Sequence, residues 1–272
     1  MTAREALAEG AAALDQAGCP SPGVDAEWLL AHVLGVRRSE LFAAEVGDED
    51  AARFRELVGR RAAREPLAYV LGEWGFRRLT LAVDPRVLVP RPETETVVER
   101  CLALLEGVRA PAVLDIGAGS GAIALALADE RPDAVVVATD VSADALEVAE
   151  ENRRRASVDG RVRFVHGDLL GGERGPFDLV VSNPPYVSEE ELPELEPELR
   201  FEPRQALVGE DGHEAVAKAA LEVLESGGAL VLEVGDGQAP RVAELLRGLG
   251  YEGVRVSEDL AGRGRVVEAR RP

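Results

Sequence analysis

Seven short apolar runs occupy the chain from residue 112 to the C-terminus, and helical patterns separate most of them. Each run has the length and composition of a buried strand, and the stretches between runs show the apolar periodicity of helices. This alternation predicts an α/β fold, with a mostly parallel seven-stranded sheet and helices on both faces. The predicted strands cover residues 112–116, 134–139, 162–166, 177–181, 229–234, 254–257 and 266–269. The predicted helices begin near Ser120, Ser142, His213 and Gln238.

The N-terminal quarter of the chain has a different pattern. Leu7, Ala11 and Leu14 form an apolar stripe at helical spacing, and similar stripes follow as far as residue 63. Aromatic, β-branched and turn residues then replace the helical pattern. We therefore predict an all-helical N-terminal domain over residues 1–66, a hairpin-like connector over 67–90 and a second domain over 91–272.

Composition limits the classes of partner. The 272-residue chain has a formal net charge of -19 and a sequence pI near 4.7, a field that repels polyphosphate. We expect no direct nucleic-acid binding. No run reaches the length of a membrane span, and acidic residues occupy the N-terminus where a signal peptide would be apolar, so no membrane association is expected. Cys19 and Cys101 match no metal or redox spacing, which favours a reducing cytoplasm and no metal site.

A glycine-rich turn follows the first predicted strand of the sheet. In Val113-Leu114-Asp115-Ile116-Gly117-Ala118-Gly119-Ser120-Gly121 the glycines allow the backbone to approach a ligand closely. Taken alone, the turn also satisfies the dinucleotide fingerprint, since Ala122 completes it. Asp140 ends the next strand and could bind ribose hydroxyls of either kind of cofactor.

Three further features separate these options. Asp115 precedes the glycines, where a carboxylate suits a cationic ligand better than a pyrophosphate. Asp168 and Leu169 follow the third strand, where they could bind an adenine amino group and cover its ring. Asn-Pro-Pro-Tyr follows the fourth strand. Together these features resemble a class I, Rossmann-like methyltransferase that uses S-adenosylmethionine, rather than a nicotinamide dehydrogenase.

The segment Asn183-Pro184-Pro185-Tyr186 falls at the carboxyl end of its strand, where open α/β sheets place chemistry. Prolines cannot donate to a ladder, so this backbone leaves the sheet in a rigid arch with free carbonyls. The Asn183 side-chain oxygen and a backbone carbonyl are two acceptors suited to the hydrogens of an –NH2 group, and Tyr186 could sandwich a flat substrate group. A simple turn after the strand is the alternative interpretation.

The chain as a whole resembles the HemK/PrmC family of release factor glutamine methyltransferases. The resemblance adds several motifs to those above, in an order more specific than any one motif. They are Pro66-Leu67-Ala68-Tyr69-Val70-Leu71-Gly72, Val89-Pro90-Arg91-Pro92-Glu93-Thr94-Glu95, Glu202-Pro203 and Glu233-Val234-Gly235 with Gln238. Departures from the family pattern are Phe201, where a tyrosine is usual, and the run 208–213.

The resemblance implies methyl transfer from S-adenosylmethionine to the side-chain nitrogen of glutamine in the Gly-Gly-Gln loop of bacterial class 1 release factors, with S-adenosylhomocysteine as product. It also implies a release-factor docking function for the N-terminal domain, and we expect a monomer. The implied cofactor-binding residues are Asp115, Gly117, Ala118, Gly119, Ser120, Gly121, Asp140, Asp168, Leu169 and Asn183. The implied substrate-binding residues are Asn183, Pro184, Pro185 and Tyr186, with Asn183, Pro184 and Tyr186 catalytic.

Two other functions compete with this one. An adenine methyltransferase acting on nucleic acid would need a basic channel, which the net charge of -19 disfavours. The second competing function is that of a catalytically silent protein that only binds release factor. The presence of Asp115, Asp140 and Asn183 argues against this function.

Two charged segments have alternative interpretations. The cluster Arg53, Arg55, Arg60, Arg61 and Arg64 is either a solvated helix face or a docking face for an acidic partner. The acidic segment 188–198 is either a mobile solvated loop or one that closes over the incoming substrate.

Overall fold

The computed structural model describes residues 1–158, 160–209, 211–259 and 261–272. Glu210, in the departing run 208–213, lies outside the described residues. The chain forms two compact units, the first made of Met1–Glu73 with Glu196–Phe201 and the second of Trp74–Leu195 with Glu202–Pro272. The first unit extends beyond residue 66 because a short helix there packs against two earlier helices.

The first unit is helical. Thr2 caps its first helix, accepting a hydrogen bond from Glu5 N at 3.2 Å while Glu5 Oε2 accepts from Thr2 N at 2.8 Å. Leu14, Leu29 and Phe54 are among the side chains of its buried core. The helices are α1 (Ala3–Gln16), α2 (Pro22–Leu34), α3 (Asp48–Ala62) and α4 (Leu67–Leu71), with a 3₁₀ turn over Arg38–Ala43.

A buried ion-pair network joins this helical unit to a distant stretch of sequence. Arg61 Nε donates to Asp25 Oδ2 at 2.8 Å, and Arg61 Nη1 donates to Glu198 Oε1 at 2.8 Å. Arg64 Nη2 donates to Glu198 Oε2 at 2.6 Å. The arginine cluster is therefore not a uniform solvated face, because Arg61 is buried and two of its members bind Glu198.

The second unit begins with the hairpin β1 (Glu73–Phe76) and β2 (Leu79–Ala82), in the region predicted to be hairpin-like. A seven-stranded sheet follows in the order β5-β4-β3-β6-β7-β9-β8. The pairs from β5 to β7 are parallel, and β9 runs antiparallel to both β7 and β8. The predicted mostly parallel seven-stranded sheet is confirmed. Its strands are β3 (Ala112–Ile116), β4 (Val135–Asp140), β5 (Val162–His166), β6 (Phe177–Ser182), β7 (Leu224–Glu233), β8 (Glu252–Glu258) and β9 (Gly264–Arg270).

Strand β7 begins five residues earlier than the predicted 229–234 run. Leu224 pairs with Phe177, and the register then shifts before Ala229 pairs with Leu179. A Cβ atom on Gly228 would lie 3.1 Å from Phe177 O, so a glycine suits this irregularity. Gly227 and Gly228 therefore lie inside the strand.

Helices cover both faces of the sheet, and alternate strand residues point to opposite sides. Val113 belongs to the cluster that includes α5 and α6 side chains, whereas Leu114 belongs to the cluster that includes α9 and α10 side chains. Among the described residues, no helix has the length and apolar character needed to cross a bilayer. The helices of this unit are α5 (Pro92–Leu104), α6 (Ala122–Glu130), α7 (Ala143–Ala156), α8 (Arg204–Leu207), α9 (Gly212–Val223) and α10 (Ala239–Gly248).

Candidate active site

A cavity of about 340 Å³ lies in the second unit at the carboxyl ends of β3, β4, β5 and β6. This is where an open parallel sheet provides a crevice. Ten of the predicted site residues line it together. They are Gly117, Ala118, Gly119, Ser120, Asp140, Asp168, Leu169, Asn183, Pro184 and Pro185.

The glycine-rich turn is held against the end of β4. The amides of Gly117 and Ala118 both donate to Thr139 O at 2.9 Å. Gly117 and Gly119 have φ values of +84° and +53°, a region that strains other residues, and a Cβ on either would meet nothing within 4 Å. Backbone conformation therefore explains these two glycines, and the open space beside them is available to a ligand.

Asp140 connects this turn to the next helix. Its Oδ2 accepts from Gly119 N at 2.8 Å, and its Oδ1 accepts from Ser142 N at 2.8 Å. Each carboxylate oxygen has a further lone pair, so Asp140 can still accept hydrogen bonds from a ligand in the cavity.

Leu169 lies in a sharp turn after β5. Its φ is +45°, and its carbonyl accepts from Thr139 Oγ1 at 2.5 Å. A Cβ on Gly167 would lie 2.6 Å from Gly171 Cα, so the turn requires glycine at 167. This tight turn brings exposed Asp168 and half-buried Leu169 to the cavity wall.

Asp115 and Gly121 do not line the cavity among the described residues. Burial raises the pKa of Asp115 to about 8, although a hydrogen bond from Ala124 N at 3.2 Å opposes the rise. A Cβ on Gly121 would lie 3.0 Å from both Leu125 and Phe164. Asp115 thus lies behind the turn, where it accepts a hydrogen bond from the backbone of α6. Gly121 allows α6 to pack closely against its neighbours.

Asn183 begins the arch that follows β6. Its side chain is half-buried, and no described residue hydrogen-bonds to that side chain or to the Pro184 carbonyl. The arch is rigid on its far side, since Val187 N donates to Leu207 O at 3.0 Å. A Cβ on Gly212 would lie 2.7 Å from Pro185 O, so glycine permits this close approach. The arch therefore presents two free acceptors beside the cavity.

Tyr186 is not among the described residues that line this cavity, and its ring packs against a neighbouring side chain. Its ring stacks on His213, with centroids 6.2 Å apart and planes inclined by 12°. Gln238 Nε2 donates to Tyr186 O at 3.1 Å, while Gln238 Oε1 accepts from Gly235 N at 3.1 Å. Burial raises the pKa of Tyr186 to about 12. In this structure the ring packs on His213, whereas sequence reasoning placed it against the substrate.

Sequence reasoning missed part of the cavity wall. Thr94 lines it, whereas the neighbouring Glu93 pairs with Arg263 and Glu95 accepts from Arg77 N. Arg91 also lines it and pairs with buried Glu202. The motif 89–95 is part of the family resemblance, but no local pattern distinguished Thr94 from the adjacent glutamates.

Comparison with known proteins agrees with this architecture. Residues 5–72 match the family model of the PrmC N-terminal domain, and residues 99–241 match that of the methyltransferase small domain. The chain also resembles in structure a 16S rRNA N2 methyltransferase of T. Thermophilus solved with AdoMet and guanosine. That match has a TM-score of 0.55 and 23% identity, covering 74% of this chain and 50% of the other, and it shows the fold.

Curated relatives match along the whole sequence. The release factor glutamine methyltransferase of Deinococcus radiodurans is 46% identical, over 100% of this chain and 99% of the relative. The protein of the same name from Moorella thermoacetica is 41% identical, with the same coverage of both chains. The chain therefore belongs to the family of release factor glutamine methyltransferases.

Proposed function

We propose that this protein transfers the methyl group of S-adenosylmethionine to the side-chain amide nitrogen of glutamine in the Gly-Gly-Gln motif of bacterial class 1 peptide-chain release factors. The observation that carries the proposal is the pair of free acceptors at the tip of β6, on a cavity built like a nucleoside site. Family membership supports the reaction, and the site residues explain how this chain performs it.

The cavity fits the cofactor. Its volume of about 340 Å³ lies within the usual range for small-molecule sites. Asp140 retains acceptor capacity for ribose hydroxyls, and Asp168 with Leu169 can bind and cover an adenine. Gly117, Ala118, Gly119 and Ser120 offer a close backbone approach. Asp115 and Gly121 support this turn from behind, so we assign them an indirect function.

Asn183 and Pro184 orient the substrate. A carboxamide nitrogen is a poor nucleophile because its lone pair is delocalised into the carbonyl. If Asn183 Oδ1 and Pro184 O accept its two hydrogens, the lone pair is held toward the cofactor side of the cavity. When bound, S-adenosylmethionine would supply the methyl group as an electrophilic carbon on a sulfonium. The N–CH3 bond would form as the S–CH3 bond breaks, and one of the two amide hydrogens would leave the nitrogen as a proton to water. Pro185 fixes the arch, and Tyr186 holds it through His213 and Gln238.

The remaining assignments concern the whole protein. We assign release-factor docking to the helical unit and methyl transfer to the second unit. The net charge of -19 supports a protein partner rather than direct nucleic-acid binding. We further propose that the protein acts as a cytoplasmic monomer.

Substitution of Asn183 tests the assignment. Asn183→Ala removes one acceptor, and we expect methylation of release factor to fall by roughly a hundredfold or more because alignment is lost. Asn183→Asp should also fail, because it keeps an acceptor but adds a negative charge that would stabilise the cationic sulfonium before transfer more than in the transition state. Mass spectrometry of the glutamine-containing peptide measures the added methyl, and circular dichroism checks folding. A folded Asn183→Ala enzyme with most of its activity would refute the assignment.

The competing functions predict other products. Labelled S-adenosylmethionine should mark release factor and leave DNA unmarked. Labelling of DNA would favour the adenine methyltransferase, and binding of release factor without any labelling would favour the silent protein.

A further inference from the structure

Four buried side-chain atoms among the described residues have no hydrogen-bond partner. One is Asp115 Oδ1, behind the glycine-rich turn. The other three are Thr94 Oγ1, Glu233 Oε2 and Arg265 Nε, and the last of these lies 3.5 Å from Asp259 Oδ2 in an ion pair. Buried polar groups nearly always have partners, so unpartnered ones beside a binding cavity indicate groups that bond to a ligand.

The order of the strands in the sheet places Glu233 on the substrate side of the cavity. The loops after β5, β4 and β3 carry the proposed cofactor residues, and the arch after β6 begins with Asn183. Strand β7 is the next neighbour, and Ser182 pairs with Leu232, so Glu233, the last residue of β7, takes the next register position, beside Asn183. Neighbouring strands are about 4.8 Å apart. Glu233 is therefore beside Asn183 on the side away from the cofactor loops.

Thr94 connects Glu233 to the cavity. Thr94 lies in the first turn of α5, is 4% exposed and lines the cavity. Glu233 is 2% exposed and does not line the cavity among the described residues. Thr94 lowers the pKa of Glu233, which indicates that the two side chains are neighbours, although neither Thr94 Oγ1 nor Glu233 Oε2 has a hydrogen-bond partner. The hydroxyl can thus turn toward Glu233 or toward the cavity.

A bound carboxamide needs one more partner than the arch supplies. Its two hydrogens are taken by Asn183 Oδ1 and Pro184 O under the proposed function. Its oxygen still requires a donor, and an unmet buried acceptor is costly. A threonine hydroxyl can supply this hydrogen bond.

We propose that Thr94 donates a hydrogen bond to the carboxamide oxygen of the substrate glutamine, and that Glu233 is a positioning residue that controls the direction of this hydroxyl. The proposal rests on the proposed function. Neutral Glu233 can donate to Thr94 Oγ1, leaving the hydroxyl hydrogen free to point into the cavity. Ionised Glu233 only accepts, so it draws that hydrogen away from the substrate.

The surroundings of Glu233 make this change occur near neutral pH. Burial raises the pKa of Glu233 to about 7, and the charge of Glu93 on α5 adds to the rise. Thr94, Arg265 on β9 and Arg91 before α5 oppose it. Tyr186 also faces this carboxyl, and His213 Nε2 lies 2.9 Å from the Glu233 backbone oxygen.

The hydrogen bond should act on substrate binding rather than on the methyl-transfer step. As the nitrogen acquires the methyl group, the carboxamide oxygen loses electron density and becomes a weaker acceptor. An interaction that does not strengthen in the transition state contributes to KM and leaves kcat nearly unchanged.

A matched set of threonine variants tests the contact in the full-length enzyme. Thr94→Val should raise KM for release factor about tenfold, the cost of one hydrogen bond, and change kcat by less than about threefold. Thr94→Ser should restore the KM because it retains the hydroxyl. Thr80→Val, the same change at an exposed site on β2, is the control. Calorimetry should show unchanged affinity of Thr94→Val for S-adenosylmethionine.

The positioning residue is tested by pH. Wild-type KM for release factor should rise as pH increases through about 7, the pKa of Glu233. Glu233→Gln keeps a group that can donate to Thr94, so its KM should stay low and lose this pH dependence. A structural contribution of Glu233 would not produce that flattening.

Several results would overturn the inference. They are a normal KM in Thr94→Val, an equal defect in Thr94→Ser, weakened binding of S-adenosylmethionine by Thr94→Val, or an unaltered pH profile in Glu233→Gln. Each leaves the proposed function standing as long as wild-type enzyme methylates release factor and Asn183→Ala does not. Absence of wild-type methylation would instead remove the proposed function itself.

Discussion

Burial changes the chemistry of individual side chains in this site. Asp115 precedes the glycine-rich turn in sequence, which suggests a carboxylate facing a cation. Its side chain is instead 1% exposed, and its pKa is raised to about 8 because burial disfavours the charged form. At neutral pH the neutral form predominates, so we interpret Asp115 as a support of α6 rather than as a counter-ion.

Asp115 should make stability depend on pH. Its folded-state pKa of about 8 exceeds the ordinary aspartate pKa of 3.8, so the folded state binds the proton more tightly. Its stabilising effect is complete below pH about 4 and is lost as pH rises toward 8. Between pH 5 and 8, the free energy of unfolding of wild type should fall relative to Asp115→Asn by at most roughly 3–4 kcal/mol.

Urea unfolding at the two pH values measures this difference. Asp236→Asn, the same change at an exposed position, is the control and should retain the wild-type dependence. Parallel pH profiles for wild type and Asp115→Asn would contradict the buried neutral carboxyl.

At the scale of elements, packing determines how much each helical residue contributes to the stability of the fold. Helices α1 and α3 both contain a glycine, which lowers helix propensity. Gly10 on α1 faces α3, and a Cβ there would lie 2.6 Å from Phe54 Cζ. Gly59 on α3 is exposed, and a Cβ there would meet nothing within 4 Å. The same residue type is therefore required at one position and replaceable at the other.

The same substitution should have opposite effects at these two positions. Gly59→Ala should stabilise the helical unit by about 0.5–1 kcal/mol through helix propensity. Gly10→Ala should destabilise it by about 1–3 kcal/mol because the added methyl overpacks the helix interface. Urea unfolding followed by circular dichroism measures both free energies. Effects of equal sign would show that the close approach of α1 to Phe54 is not rigid.

At the scale of the whole molecule, the chain passes between its units more often than the sequence suggests. The segment Glu196–Phe201 follows the arch after β6 in sequence but belongs to the helical unit. Burial disfavours the Glu198 carboxylate, but hydrogen bonds from Arg64 and Arg61 outweigh this effect, and its pKa is lowered. The acidic segment 188–198 is thus anchored at its C-terminal end.

Removing this anchor should loosen the segment. Glu198→Gln leaves Arg61 and Arg64 without their shared carboxylate. We expect a loss of stability of at most roughly 3–5 kcal/mol, the cost of breaking a buried pair, because glutamine retains one acceptor oxygen. Cleavage by a glutamate-specific protease within residues 188–196 should become faster, as measured by mass spectrometry of the fragments. Glu106→Gln, the same change at an exposed position outside the segment, is the control because it leaves every cleavage site in residues 188–196 intact. Equal cleavage rates in both variants would contradict the anchor.

Local patterns in the sequence determined the sheet, the glycine-rich turn and the arch after β6. Strands β3 and β5 have the predicted bounds, and ten predicted residues line one cavity. Apolar runs specify buried strands, glycines permit the positive φ values of the turn, and prolines fix φ in the arch. Only the tertiary structure placed Asp115 behind the turn, stacked Tyr186 on His213 and paired Arg61 with Glu198, 137 residues away. These arrangements depend on burial and on contacts between distant segments, which no local pattern encodes.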